Sequence, residues 1–185
     1  KTATASFTLN QYELVAIAGT GGSVSGGGTY EHGETVIVTA LPHEGYSLSV
    51  WTLDEEVVEA DQDLEVEMTS DRSISVSFVL NEYDLNTSAE TGGSVSGGGT
   101  YDHGSVVTLT AIAETGYGFT GWIVDGEEVV GGAEIMLEMT GAKVAEASFA
   151  LNQYALSTSA GTGGSVSGGG TYENGSVVTL TAIAE

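Results

Sequence analysis

Histidines, clustered carboxylates and lone lysines are the residues whose types could support chemistry in this 185-residue chain. His32 and His103 lie 71 residues apart in matching Glu31-His32-Gly33 and Asp102-His103-Gly104 stretches, and the same place further on is Asn174. A metal ligand or general base would be expected at every copy of a repeated site, so a turn explains all three better: His and Asn both tolerate left-handed backbone before a Gly. His43 has Glu114 as its counterpart, and no Ser-His-Asp set recurs with the repeat. The densest acidic run, residues 54–63, aligns with residues 125–134. Its oxygens suit calcium, with Asp54, Asp61, Asp63 and Asp125 as candidate ligands, but neither segment has the alternating carboxylates, central Gly and closing Glu of an EF-hand loop. The run therefore reads as a solvated loop, with weak calcium binding between repeats as the alternative, and no other cofactor is expected. Lys1 and Lys143 are equivalent, which suggests a Lys-Asn isopeptide staple, yet Arg72 takes that place in between and cannot form the bond. Asn86-Thr87-Ser88 and Asn174-Gly175-Ser176 match the glycosylation tripeptide, a pattern common by chance.

What must position any such residue is a tandem repeat. The string Thr-Gly-Gly-Ser-Val-Ser-Gly-Gly-Gly-Thr-Tyr occurs at residues 20–30, 91–101 and 162–172, always 71 residues apart. The copies share anchors: Tyr12, Tyr83 and Tyr154 near their starts, Trp51 and Trp122, Phe78 and Phe149, and the turn glycines Gly33, Gly104 and Gly175. On this register residues 10–80 and 81–151 are complete copies, 152–185 the first half of another, and 1–9 the last strand of a preceding incomplete one. The window reads as an excerpt of something longer, and its cut ends are expected to be completed either by the missing residues of that longer polypeptide or by a strand from another chain.

Period-two alternation dominates. Tyr12, Leu14, Ala16 and Ala18 share a face, as do Val36, Val38 and Ala40, then Leu64, Val66 and Met68, then Ile74, Val76 and Phe78. No stretch has a helical period. The expectation is an all-β tandem array of small sheet domains, five or six short strands per copy joined as antiparallel hairpins, with a β-grasp-like α+β repeat as the alternative. The Gly string reads as a tight reversal or bulge; a phosphate loop would need a following helix and a Gly-Lys-Ser/Thr, and a strand with a Tyr follows here. Tyr46 with Trp51, and Tyr117 with Trp122, read as core and edge anchors, with a sugar-stacking platform as the functional alternative.

Composition narrows the partners. The formal charge is −23, with 13 acidic and one basic side chain in residues 10–80 and 11 and one in residues 81–151. Such a surface repels phosphate, which argues against nucleic acid and anionic lipid, and it favours solubility and saline surroundings. Zero Cys excludes disulfides, thiolate metal sites and a Cys nucleophile. No apolar run approaches the roughly 20 residues that span a bilayer, so no membrane insertion is expected.

The order of residues carries a resemblance. In the second copy it runs Tyr83 to Leu85, Gly92 to Val95, Gly99 to Tyr101, Val107 to Ala111, Gly116 to Trp122, Met139-Thr140 and Ala147 to Phe149. This resembles the divergent internalin-B-type B-repeats over the whole chain, with Leu48 and Val50 of the first copy departing from Phe119 and Gly121 of the second. The resemblance implies tandem modules of secreted or surface proteins of bacteria and some archaea, acting as spacers or adhesin stalks and not as enzymes. The leading expectation is thus a non-enzymatic extracellular structural module whose partners are neighbouring repeats or identical chains, with host or cell-surface glycan or protein as further candidates. A filament subunit joined by strand complementation, and a carbohydrate- or calcium-dependent binding module, are the alternatives.

Overall fold

The computed structural model describes residues 1–185. It contains twenty β-strands and no helix, so the all-β reading holds and the α+β alternative falls away. The chain divides into two compact units, Lys1–Glu82 and Tyr83–Glu185.

The first unit holds β1 (Gln11–Ala18), β2 (Gly22–Ser25), β3 (Gly28–Glu31), β4 (Thr35–Pro42), β5 (Tyr46–Leu53), β6 (Glu56–Val58), β7 (Asp63–Glu67) and β8 (Arg72–Leu80). They form a five-stranded sheet, β3-β1-β8-β5-β6, and a three-stranded sheet, β2-β4-β7. The alternating apolar residues of each face one common core. Leu14, Trp51, Ile74 and Val76 from the larger sheet meet Val36, Val38, Ala40 and Val66 from the smaller, with Met68 beside them. No polar or charged residue is buried. Burial of this apolar set, rather than any buried polar pair, stabilises the sandwich.

Two expectations about connectivity are corrected. Each complete copy has eight strands, because the three- and four-residue strands at β2, β3 and β6 are too short to show a period. The strands are also not all hairpin partners: β8 lies between β1 and β5, parallel to β1 and antiparallel to β5. A central place suits β8, whose Ile74 and Val76 are buried while Ser73 and Ser75 alternate outward.

The Gly string is not a hairpin. Its halves, β2 and β3, belong to different sheets: β2 pairs with β4 and β3 pairs with β1. Gly26, at φ 106°, turns the chain from one sheet to the other. A Cβ there would lie 2.7 Å from the carbonyl oxygen of Ile37, so glycine is required by both space and conformation. The Tyr30 hydroxyl donates back to the Gly26 carbonyl at 2.8 Å, and Tyr101 to Gly97 and Tyr172 to Gly168 do the same at 2.8 Å. At Gly22 the reason is different: a Cβ would run into the ring of Phe78, which seats on the bare backbone.

In the second unit β9 (Glu82–Ala89), β10 (Gly93–Ser96), β11 (Gly99–Asp102), β12 (Val106–Ala113), β13 (Tyr117–Val124), β14 (Glu127–Val129), β15 (Glu134–Glu138) and β16 (Lys143–Leu151) repeat the plan. The sheets are β11-β9-β16-β13-β14 and β10-β12-β15, around Trp122, Leu109, Met139, Ala145 and Ala147. Then β17 (Gln153–Leu156) pairs with β19 (Gly170–Glu173), and β18 (Gly164–Ser167) with β20 (Thr181–Ala184). These are the first-half pairings of the same plan. Residues 1–10 carry no strand and are exposed.

Candidate functional site

Trp51 and Trp122 are at most 1% exposed. Each indole N–H donates to a loop carbonyl, Trp51 to Asp61 at 2.9 Å and Trp122 to Gly132 at 3.2 Å. A ring buried on both faces offers nothing for a pyranose to stack on, so the sugar-platform alternative is corrected for these residues: the indole pins the chain as it passes from the larger sheet to the smaller. Phe149 is buried, Phe78 is half-buried against the first core, and Tyr12 and Tyr83 lie at the margins of the two cores. Tyr154 is 57% exposed.

The calcium candidates are placed apart. Asp54 and Asp125 open the β5–β6 and β13–β14 turns with positive φ, 49° and 52°. Asp54 Oδ1 accepts the Ser73 backbone N–H at 2.9 Å, and its Oδ2 lies 2.6 Å from Arg72 Nε, a contact of charge without hydrogen-bond alignment. Asp125 accepts the Val144 N–H at 2.9 Å and faces Lys143 Nζ at 3.7 Å. These two carboxylates therefore clamp a turn onto the start of the central strand. That geometry also accounts for the Lys/Arg position: either cation can face the turn carboxylate. Asp61 lends its backbone carbonyl to Trp51, and Asp63 opens β7 opposite Thr39. No group of three or more His, Cys, Asp or Glu gathers as metal ligands.

His32 and His103 sit in turns, edge-on to Tyr12 and Tyr83 with ring centroids 5.8 and 5.9 Å apart. The left-handed residue is the following glycine in all three copies, with φ 85°, 81° and 83° at Gly33, Gly104 and Gly175. The His and Asn do not carry it, which corrects the expectation for them. Sequence spacing missed what the Asn174 turn does. Asn152 alone separates β16 from β17. Its N–H donates to the Gly116 carbonyl at 2.8 Å, and its carbonyl accepts the Asn174 N–H at 2.8 Å. One linker residue thus bonds to a loop of the copy before it and to a turn of the copy after it. The sign was an Asn at 10, 81 and 152, one per repeat, a polar residue between two apolar strands.

The geometry is one of clamps, corners and joints, without a cleft that gathers reactive groups. No helix is long and apolar enough to cross a membrane. The family model of the divergent InlB B-repeat domain matches residues 12–82, 83–153 and 154–185, each match starting at one of the repeat tyrosines. No curated protein and no solved structure matches the chain. Repeats of this type are associated with bacterial cell-surface proteins and are generally non-catalytic. Matched over nearly its whole length in three consecutive segments, the chain belongs to the divergent InlB B-repeat domain family.

Proposed function

We propose that this chain is a spacer: a non-enzymatic stretch of an extracellular stalk, fibre or large surface adhesin, in which the number of copies sets reach. The observation that carries the reading is the Asn152 joint, where a single residue with both backbone groups bonded replaces a flexible linker. A linker of one residue has little conformational freedom to lose, and bonding it on both sides opposes bending. The residues common to the copies, Trp51 and Trp122 among them, serve packing or turns, which suits a scaffold better than catalysis. The charge of −23 supports a solvated exterior that keeps neighbouring chains apart. Secretion, adhesin membership and contact with a host or cell-surface glycan or protein belong to this proposal.

Small-angle scattering of the whole chain, with an Asn152→Gly-Ser-Gly insertion variant for comparison, tests the stiffness at that joint. The spacer reading expects a longer maximum dimension and a narrower distance distribution for the native sequence. Equal curves would refute a stiff joint, and concentration-dependent fibres would favour strand exchange between chains instead.

A further inference from the structure

The larger sheet of each complete copy has one strand that is only partly covered. β13 pairs with β16 from Tyr117 to Val124, but with β14 only from Trp122 to Val124. From Tyr117 to Phe119 its other side has no strand partner; the Tyr117 N–H is taken by the Glu114 carbonyl at 3.0 Å, which leaves the backbone groups after it for a partner. The register slips between Phe119 and Gly121, leaving Thr120 as an exposed bulge. A groove of about 460 Å³ begins where this edge ends, lined by Thr120, Gly121, Ile123 and Ser148 on the sheet and by Glu128, Val129, Val130 and Gly131 beside it. Val130 is wholly exposed. The same groove recurs in the first copy between Ser49, Val50 and Val58 to Ala60, smaller at about 310 Å³ because Val50 stands where Gly121 does. There β5 likewise pairs with β8 throughout and with β6 only from Trp51 to Leu53.

An open edge leading into a groove is what an added strand uses: backbone groups bind it, and alternate side chains enter the groove or meet solvent. Charge selects the occupant. Glu127 and Glu128 on β14 are exposed, and the copy around them carries 11 acidic residues against one basic. A second copy of this chain would bring the same sign to the edge, which repels it. A lysine- or arginine-bearing strand is attracted instead.

We propose that the bulged edge of each complete copy is a docking site for an extended cationic peptide segment of another protein, which joins the larger sheet alongside Tyr117–Thr120 and places its basic side chains against Glu127 and Glu128. The second copy, with Gly121 opening its groove, binds more tightly than the first. A bulge and acidic rim also discourage self-pairing, and the two roles are compatible: the rim that rejects an identical edge is the rim that accepts a basic one.

The test is a titration of the ¹⁵N-labelled full chain with an acetylated, amidated Lys-Val alternating hexapeptide. The expected result is saturable amide shifts concentrated at residues 117–121 and 127–131, weakened at least fivefold by Val130→Lys and by a proline in the middle of the peptide. Val130 touches no core, so its substitution leaves the fold intact. Shifts spread over all acidic residues, or equal binding of the proline-bearing peptide, would show mere counter-ion association and overturn the proposal. So would absence of binding, or concentration-dependent shifts at the same residues without peptide, which would mean that the edge pairs with another copy.

Discussion

Asp54 and Glu55 carry positive φ, 49° and 71°, in the two-residue turn between β5 and β6, whereas the second copy has Asp125 and Gly126 at 52° and 86°. Left-handed backbone suits Gly and is tolerated by Asp, but Glu has no local hydrogen bond to offset its Cβ. Replacing Glu55 with Gly should therefore raise the stability of the first copy by about 1 kcal/mol, and Gly126→Glu should lower that of the second by a similar amount. Chemical denaturation followed by tryptophan emission measures both, since each complete copy has one Trp. The turn carboxylates give a second pair of variants. Asp125→Asn keeps an oxygen for the Val144 N–H and should cost little, while Asp125→Ala leaves that donor unpaired and should cost about 1–2 kcal/mol. The partly exposed ion pair to Lys143 contributes less, on the order of 0–1 kcal/mol, so Lys143→Ala should cost about as little as Asp125→Asn and less than Asp125→Ala. Equal effects from Asp125→Asn and Asp125→Ala would mean that charge, not the hydrogen bond, holds the turn.

Among the elements, the corner at Gly97 shows how a short motif directs a strand between sheets. Tyr101 donates to its carbonyl at 2.8 Å, so Tyr101→Phe should cost about 1 kcal/mol with the ring packing intact. Gly93→Val should cost more, about 1–3 kcal/mol, because the ring of Phe149 occupies the space above Gly93 and must move. Thermal unfolding of each variant checks the order, and a Gly93→Val protein as stable as the parent would contradict the proposed seat. These elements also mark how far the sequence was legible. Alternation identified the long strands β1, β4 and β8 and their inward faces, because each residue there reports its own side. It did not reveal that β2 and β3 part company at Gly26, since strand partners are chosen by distant residues such as Leu41 and Tyr12. The parallel β1–β8 pair escaped notice for the same reason, with partners near 58 residues apart such as Leu14 and Arg72. The carboxylate clamp spans 19 residues, Asp54 to Ser73 and Asp125 to Val144, and an acidic run read in isolation looks like a solvent face or a cation site. The Asn152 joint was visible only as a repeated letter, and its meaning needed both neighbouring copies in space.

On the scale of the whole molecule, each complete copy encloses a core of its own, drawn from its own two sheets. A copy that contains its full core unfolds as a unit, and a linear series of such units behaves as a sum of local folds plus terms between neighbours. This independence is what a spacer requires: damage to one copy leaves the reach set by the others. Trp51→Ala empties the first core and should destabilise it by about 3–5 kcal/mol without changing the second, and Trp122→Ala should do the reverse. Pulling single chains by their ends, with those two variants as markers, tests the account most directly. The parent should show two unfolding events of equal length, each releasing roughly 250 Å of contour at about 3.5 Å per residue, and each Trp variant should lower the force of one event only. A single event spanning both copies, or a Trp51→Ala chain that weakens both events alike, would contradict it.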